Sequence, residues 1–344
     1  MNAARVALAL LIAAAWTAVP RAAAQSAEDF YKNHPALVLG VPADAGGTYD
    51  TYARLLARYL PKYLPGRPRA VVENIPAAGG LALANQAYNT APKDGSFLAM
   101  VRGSTIQDHV DGDPAAMFDG RKFAWIGNMN MEYDSCIVTQ NSPVQSIPDL
   151  YRRELVVGAS GAGAQSYTFP LIYNAVLHTK FKVVTGYKST PERLLAMQRG
   201  ELMGNCGIDT SAIEATFYKQ YREGKIKVLL QGAVHKDPRF ATVANILDEA
   251  RSERDRAALE YMFATLVLGR PFATAAETPA DRVALLRRAF ERSMKDLGFV
   301  AEAQKAQLDI DAMTGVECGL AIERLYSTPR DVIERVRGIL ADRR

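Results

Sequence analysis

Three glycine-rich segments each lie between a predicted buried strand and a predicted helix. They span residues 42–50, 76–80 and 160–166. Glycine lets backbone N–H groups turn toward a ligand and approach it closely. The start of the following helix adds free amides and the positive end of the helix dipole, a combination that binds anions. A single segment of this kind is more often a tight turn, whereas three of them, divided between two halves of the chain, favour a binding site.

Signatures of catalysis are largely missing from the sequence. There is no HExxH pair and no phosphate-binding GxxxxGK[ST] segment, and the four histidines are scattered. The segment 158–162 contains Ser160 but lacks the final glycine of a nucleophile elbow. We therefore expect a binding protein rather than an enzyme, with no metal and no cofactor.

Apolar runs and helical patterns alternate in the first part of the chain. Strands are predicted at the apolar runs 36–41, 70–75 and 96–101. Helices are predicted between them over residues 50–64 and 81–88, where apolar side chains recur at helical spacing. This βαβαβ order predicts a parallel sheet covered by helices.

A second set of elements follows. Its predicted strands are residues 155–159, 181–184 and 226–230, and its predicted helices are 165–177, 190–200 and 211–223. The tail is predicted to be helical, with one long helix over 278–297, a capping box formed by Thr314 and Glu317, and a last helix starting at Thr328. Two further stretches, 123–138 and 263–269, read as extended crossovers, which two hinged α/β lobes require.

Two segments of the first half resemble the Bug family, the extracytoplasmic receptors of tripartite tricarboxylate transporters. Residues 46–56 read GGTYDTYARLL, and residues 71–80 read VVENIPAAGG. The segments 91–98, 160–163 and 187–188 fit the same family pattern. The resemblance implies an α/β, type 2 periplasmic-binding fold: two α/β lobes, joined by extended crossover strands, that close like a Venus flytrap on a small organic acid, typically a carboxylate.

The resemblance also implies which residues contact the ligand. In the family, the first two glycine segments hold a carboxylate through backbone groups and ordered water, and the second lobe supplies counterparts. The ligand-binding residues implied at these positions are Gly46, Gly47, Thr48, Asp50, Ala78, Gly79, Gly80, Ser160, Gly161, Gly163, Ser166, Tyr187 and Asp209. Near them cluster Tyr49, Tyr52, Tyr167 and Tyr187, either as packing at the bases of helices or as a wall for a bulky ligand.

The N-terminal residues have the pattern of a secretory signal peptide. Arg5 precedes a short apolar run, and small residues give a cleavage site near Ala24. The apolar run is shorter than the ~20 residues that a membrane span needs, so we expect a periplasmic protein that is not inserted in the membrane. The predicted divisions are a signal peptide over residues 1–24, lobe 1 over 25–134, lobe 2 over 135–266, and the return to lobe 1 with the C-terminal helices over 267–344.

The charge pattern argues against nucleic acid as a binding partner. The chain carries a net charge of +4, and its basic residues are mixed with acids rather than clustered as nucleic-acid binding requires.

The chain has three cysteines, and an oxidising compartment permits one disulfide among Cys136, Cys206 and Cys318. The sequence does not choose the pair. We expect a monomer that passes its ligand to membrane permease subunits. A receptor that signals to a sensor kinase is the alternative that the sequence leaves open.

Overall fold

Two β-sheets, each flanked by helices, make up the fold in the computed structural model of the chain. The structure describes residues 26–34, 36–161, 164–187, 189–215 and 217–341. The predicted signal peptide, Gly163 and Lys188 lie outside these residues. Within them, no helix is both long enough and apolar enough to cross a membrane.

The described strands, in chain order, are β1 (Ala36–Val41), β2 (Arg69–Asn74), β3 (Phe97–Met100), β4 (Ala124–Asn128), β5 (Asp134–Thr139), β6 (Leu155–Ala159), β7 (Phe181–Thr185), β8 (Gly204–Asp209), β9 (Ile226–Gly232), β10 (Pro271–Thr274) and β11 (Met313–Thr314). The described α-helices are α1 (Ala27–Asn33), α2 (Thr48–Tyr59), α3 (Leu81–Asn89), α4 (Gly103–Val110), α5 (Ile147–Leu150), α6 (Gln165–Leu177), α7 (Thr190–Gln198), α8 (Ser211–Ala215), α9 (Tyr218–Arg222), α10 (Glu253–Phe263), α11 (Ala280–Met294), α12 (Leu297–Lys305), α13 (Gly315–Tyr326) and α14 (Arg330–Ala341).

The sheet of the first lobe has the strand order β11-β4-β10-β3-β1-β2. Strand β1 pairs in parallel with both β2 and β3, which confirms the parallel βαβαβ arrangement predicted for this part of the chain. The strands that return from later in the chain pair antiparallel: β10 with β3 and β4, and β11 with β4. Leu37, Leu39 and Val41 of β1 lie on one face of the sheet and are fully buried there, as expected for a central strand whose face is covered by helices.

The sheet of the second lobe has the strand order β7-β6-β8-β5-β9. Strand β6 is parallel to β7 and β8, and β5 runs antiparallel to β8 and β9. The carboxyl ends of β6, β7 and β8 therefore lie at one edge of this sheet, where the loops that follow them can meet a ligand.

Two helices predicted as continuous are broken, and each break has a local cause. The helix predicted over 211–223 is divided into α8 and α9, and between them the fully buried Phe217 donates its N–H to Ala212 O, five residues back. The helix predicted over 278–297 ends at Met294. There the Asp296 side chain accepts hydrogen bonds from Gly298 N and Phe299 N and begins α12 as its N-cap.

The second crossover is not extended as predicted. Residue Phe263 is the last of α10, and the chain continues through turns in which Leu266 N bonds Phe263 O and Leu268 N bonds Thr265 O. Phe263 and Leu266 are both buried. A short apolar run of this kind is compatible with a buried helix end as well as with a strand, so its pattern alone does not distinguish the two. The first crossover is extended as predicted, since it joins β4 to β5.

The C-terminal helix α14 packs against α6 and α10, which flank the sheet of the second lobe. Its Arg335 donates to the Asp255 carboxylate of α10 at 2.8 Å, and Arg337 donates to Asp111 O in the first lobe at 2.8 Å. The end of the chain thus contacts both lobes.

A disulfide joins Cys136 of β5 to Cys206 of the neighbouring strand β8. Cys318 is a free, buried thiol on α13, and burial raises its pKa to about 12. The disulfide crosslinks two central strands of the second sheet, and 70 residues separate its cysteines.

We expect the oxidised protein to yield one reactive thiol when it is unfolded without reductant, and three after reduction. The thiol count with Ellman's reagent in guanidinium measures this. Replacement of both Cys136 and Cys206 by Ala should lower the free energy of unfolding by about 4 kcal/mol, since the crosslink closes a long loop of the unfolded chain. Three reactive thiols before reduction would contradict the pairing.

Candidate ligand-binding site

The loops that follow β1, β2 and β3 meet at one point. A Cβ added to Gly80 would lie 3.0 Å from Thr105 Oγ1, 3.2 Å from Pro42 Cβ and 3.3 Å from Arg102 Cδ. These neighbours belong to the loop after β1 and to the residues around the start of α4. Parallel pairing causes this convergence, because it puts the three carboxyl ends at the same edge of the sheet.

Asp50, in the first turn of α2, ties the first two loops together. Its buried carboxylate accepts hydrogen bonds from Gly46 N at 2.8 Å, Arg54 Nε at 2.8 Å and Asn74 Nδ2 at 3.0 Å. The same Asn74 amide donates to Ala43 O at 2.9 Å. Burial opposes ionisation of Asp50, but the hydrogen bonds from Arg54, Gly46 and Asn74 hold its pKa below the ordinary value. Groups of the protein itself therefore donate hydrogen bonds to the Asp50 carboxylate, which the resemblance placed among the ligand contacts.

The second loop is wound into an unusual backbone conformation. Residues Ala78, Gly79 and Gly80 have φ values of 52°, 65° and 110°. A positive φ is uncommon for a residue with a side chain, so Ala78 is held there by its surroundings at a cost of order 1 kcal/mol. A Cβ added to Gly79, or to Gly46 in the first loop, would meet no atom within 4 Å. Both glycines thus present bare backbone to open space.

The helices that begin at these loops lack side-chain caps. The N-cap residues of α2, α3, α4 and α6 are Gly47, Gly80, Arg102 and Ala164, and none of them supplies a capping hydrogen bond. Helix α7, which begins after β7 at the same edge of the second sheet, is capped by Ser189, and side chains also cap α1, α10, α12 and α13, whereas α5, α9 and α11 have no side-chain cap. Helices therefore begin at the carboxyl ends of strands in both lobes with N-terminal N–H groups that receive no hydrogen bond from the side chain of the N-cap residue.

Two arginines lie close to the Tyr49 ring in the first lobe. The guanidinium carbon of Arg270 lies 4.1 Å from the ring centroid, and that of Arg102 lies 4.9 Å from it. Arg270 is buried and donates to Glu132 Oε1 at 2.5 Å, whereas Arg102 donates only to Gly79 O, at 3.3 Å. The buried atoms Arg102 Nε, Thr105 Oγ1 and Arg270 Nε have no hydrogen-bond partner among the described residues. Donors without partners beside a loop surface are available to a ligand or to water.

The loops of the second lobe also converge. Ser160 N donates to Ser166 Oγ at 3.3 Å, and Tyr187 N donates to Ala159 O at 3.3 Å. A Cβ on Gly207 of β8 would lie 2.2 Å from Ser166 N, so the start of α6 rests directly on β8. Gly161 faces open space in the same way as Gly79.

Asp209 ends β8 at the boundary between the lobes. Its carboxylate accepts from Ser211 N at 2.8 Å and from Ser211 Oγ at 2.5 Å, and burial raises its pKa. Burial also raises the pKa of Tyr52 in the first lobe, and the charge of Asp209 adds to that rise.

Asp309 links the two lobes. Its backbone O accepts from the Tyr52 hydroxyl at 2.9 Å, and its carboxylate accepts from Arg239 Nη1 of the second lobe at 2.8 Å. The segment after α12 is therefore a further connection between the lobes, in addition to the two crossovers.

Apart from Gly163, which lies outside the described residues, the predicted ligand contacts fall into two groups of loops, one in each lobe. Sequence reasoning missed two arginines beside the first-lobe loops, Arg102 and Arg270. Arg102 had a usable signal, because it directly follows the predicted strand 96–101 at the edge where ligands bind. Of the four tyrosines, Tyr52 is buried, while the Tyr49 ring lies within 5 Å of the guanidinium carbons of Arg270 and Arg102, at 4.1 and 4.9 Å.

A cavity of about 700 Å³ lies elsewhere, between α10 and α13, and none of the glycine-loop residues line it. The described residues contain no group of three or more His, Cys, Asp or Glu side chains that could hold a metal ion.

Comparison with known proteins finds similarity in solved structures alone, because no family model and no curated protein matches the chain. A TctC solute-binding protein from Polaromonas matches with a TM-score of 0.69 at 17% identity, over 89% of this chain and 98% of that one. The periplasmic binding protein BugD matches with a TM-score of 0.58 at 17% identity, over 88% and 97%. MatC from Rhodopseudomonas palustris, solved with bound malate, matches with a TM-score of 0.53 at 21% identity, over 89% and 98%.

These matches confirm the predicted two-lobed periplasmic-binding fold. The first two of these proteins are named as binding proteins.

We expect Asp50→Asn to lower the free energy of unfolding by about 1–3 kcal/mol at pH 7, because a hydrogen-bonded, buried carboxylate is lost. The folded pKa of Asp50 lies below its unfolded value, so its contribution is present above about pH 4 and is lost as the pH falls through the folded pKa. Urea unfolding at pH 7 and pH 3 should therefore show a smaller difference between wild type and variant in acid. The exposed Asp248→Asn is the matched control, with little effect at either pH. An equal difference at both pH values would contradict the role assigned to Asp50.

Proposed function

We propose that this protein is a periplasmic receptor of the Bug type, which captures a small organic acid between its two lobes and delivers it to the permease subunits of a tripartite tricarboxylate-type transporter. The predicted signal peptide and the fold shared with TctC and BugD support this assignment. Closure of the lobes on the acid would create the form that the permease recognises.

One observation carries the proposal: the uncapped N-termini of α2, α3 and α4 converge beside Arg102. No carboxylate among the described residues lies within ion-pair distance of the Arg102 guanidinium, so its charge is free to attract an anion. Backbone amides at helix starts bind carboxylates well because their donors and dipoles point at the ligand. An ionised carboxylate accepts hydrogen bonds from donors of this kind.

Three acids around the site have partners within the protein. Glu132 is paired with Arg270, Asp309 is paired with Arg239, and Asp50 is occupied by its three donors. We infer that Asp50 positions the first two loops rather than touching the ligand.

A thermal-shift screen of malate, succinate, citrate and adipate, followed by calorimetry, tests the proposal. A true ligand at 100 times its Kd should add about 2.7 kcal/mol of stability, which is a clear rise in Tm. Acetamide and the diamide of malate serve as uncharged controls and should give no shift. No shift with any organic acid in a wider panel would contradict the receptor assignment.

Gly79→Val should abolish tight binding of the acid while the protein still folds. The new side chain would occupy open space at the loop surface, on a backbone whose φ of 65° strains any branched residue. Gly224→Val is the matched control, because Gly224 has a φ of 67°, also meets no atom within 4 Å, and lies at the end of α9 away from the loops.

Both variants should lose similar stability in thermal unfolding, but only Gly79→Val should lose affinity in calorimetry. Equal affinities for the two folded variants would contradict the assignment of the second loop to the binding site.

A further inference from the structure

Arg193, on α7 of the second lobe, is a buried cation whose hydrogen-bond acceptors are all neutral. Only 4% of its surface is exposed. Its guanidinium donates from Nη1 to Ser160 Oγ at 2.7 Å, from Nε to Asn205 Oδ1 at 2.9 Å and from Nη2 to Thr190 Oγ1 at 2.9 Å. A hydroxyl, an amide and a second hydroxyl orient the group without neutralising it.

No carboxylate among the described residues pairs with Arg193 within 4 Å. The other buried arginine of the site, Arg270, is neutralised by Glu132 at 2.5 Å. Burial lowers the pKa of Arg193 and the neighbouring Glu192 partly offsets this, but a guanidinium stays protonated in proteins. Burying a charge without a counter-ion is costly, so the arrangement calls for a balancing negative charge.

Ser160 connects this charge to the surface of the loop. It is exposed, it follows β6, and its Oγ accepts the hydrogen bond from Arg193. A hydroxyl that accepts from a cation turns its own proton away from that cation, and the polarised O–H becomes a stronger donor. Ser160 is thereby directed to donate outward, toward the space that the second-lobe loops face.

We propose that Arg193 is a positioning residue that makes the second lobe selective for anions. It holds Ser160 as a hydrogen-bond donor and places one unbalanced positive charge beneath the loop. A ligand carboxylate would accept from Ser160 and supply the missing negative charge, while an ammonium group would be repelled. This inference rests on the proposed receptor function and adds to it the residue that determines charge selectivity in the second lobe.

The test measures the Kd of the tightest-binding acid of the panel by calorimetry for wild type, Arg193→Met, Ser160→Ala and the double variant. Each single change should weaken binding by roughly 10- to 150-fold, the effect of losing a hydrogen bond to a charged group. The double variant should lose less affinity than the product of the two single losses, because both changes remove the Ser160 donor that Arg193 holds in place. Losses that multiply in the double variant would overturn the proposal.

Salt dependence separates an electrostatic role from a merely structural one. Raising the ionic strength should weaken acid binding by wild type and by Arg193→Lys, which keeps the charge, but less so by Arg193→Met. Arg222→Met, which removes a charge from α9 of the same lobe, should bind as wild type does.

If circular dichroism shows that Arg193→Met does not fold, Arg193→Lys and Ser160→Ala carry the test. Ser160→Ala changes an exposed side chain and should leave folding intact. If Ser160→Ala keeps wild-type affinity, the proposal is overturned and the receptor assignment stands. If wild type binds no organic acid at all, both are overturned.

Discussion

The parallel pairing of β1 with β2 and β3 is the constraint on which the site depends. It brings three strand ends to one edge, and each strand end continues through a short loop into a helix whose N-cap has no capping side chain. The amides and dipoles of these helix starts therefore point into the same region. Asp50 makes that region rigid by bonding Gly46 in one loop and Asn74 at the end of the next strand.

The acids and the arginines around the site differ in their partners. Glu132 and Asp50 each pair with an arginine, Asp309 shares Arg239 with Asp237, and Asp209 accepts hydrogen bonds from Ser211. Arg102 in the first lobe and Arg193 in the second have no carboxylate partner among the described residues. An anion held between the lobes would interact with one unbalanced cation on each side, which gives closure an electrostatic driving force in addition to contact with the loops.

Sequence patterns predicted the local elements well and the long-range contacts poorly. The helix over 165–177 and the Thr314–Glu317 capping box were predicted because their signals lie within a few residues of each other. The break at Asp296 also had a local signal, an N-cap side chain followed by Gly298, which the apolar periodicity of the longer segment obscured. The resemblance placed Asp50 against the ligand, but its orientation depends on Asn74 in another strand, so only the folded chain shows that its carboxylate is occupied. Arg193 was missed for the same reason, since its contact with Ser160 spans 33 residues.

If the proposed receptor function holds, helix-start amides of both lobes contact the same organic acid. Backbone amide NMR of ¹⁵N-labelled protein, titrated with the acid that binds in calorimetry, reports on each of these amides separately. We expect the amide signals of Thr48, Tyr49 and Ser104 in the first lobe and of Ser166 in the second to shift together, with the calorimetric Kd. Shifts confined to residues around the cavity between α10 and α13, with these four signals unmoved, would contradict it.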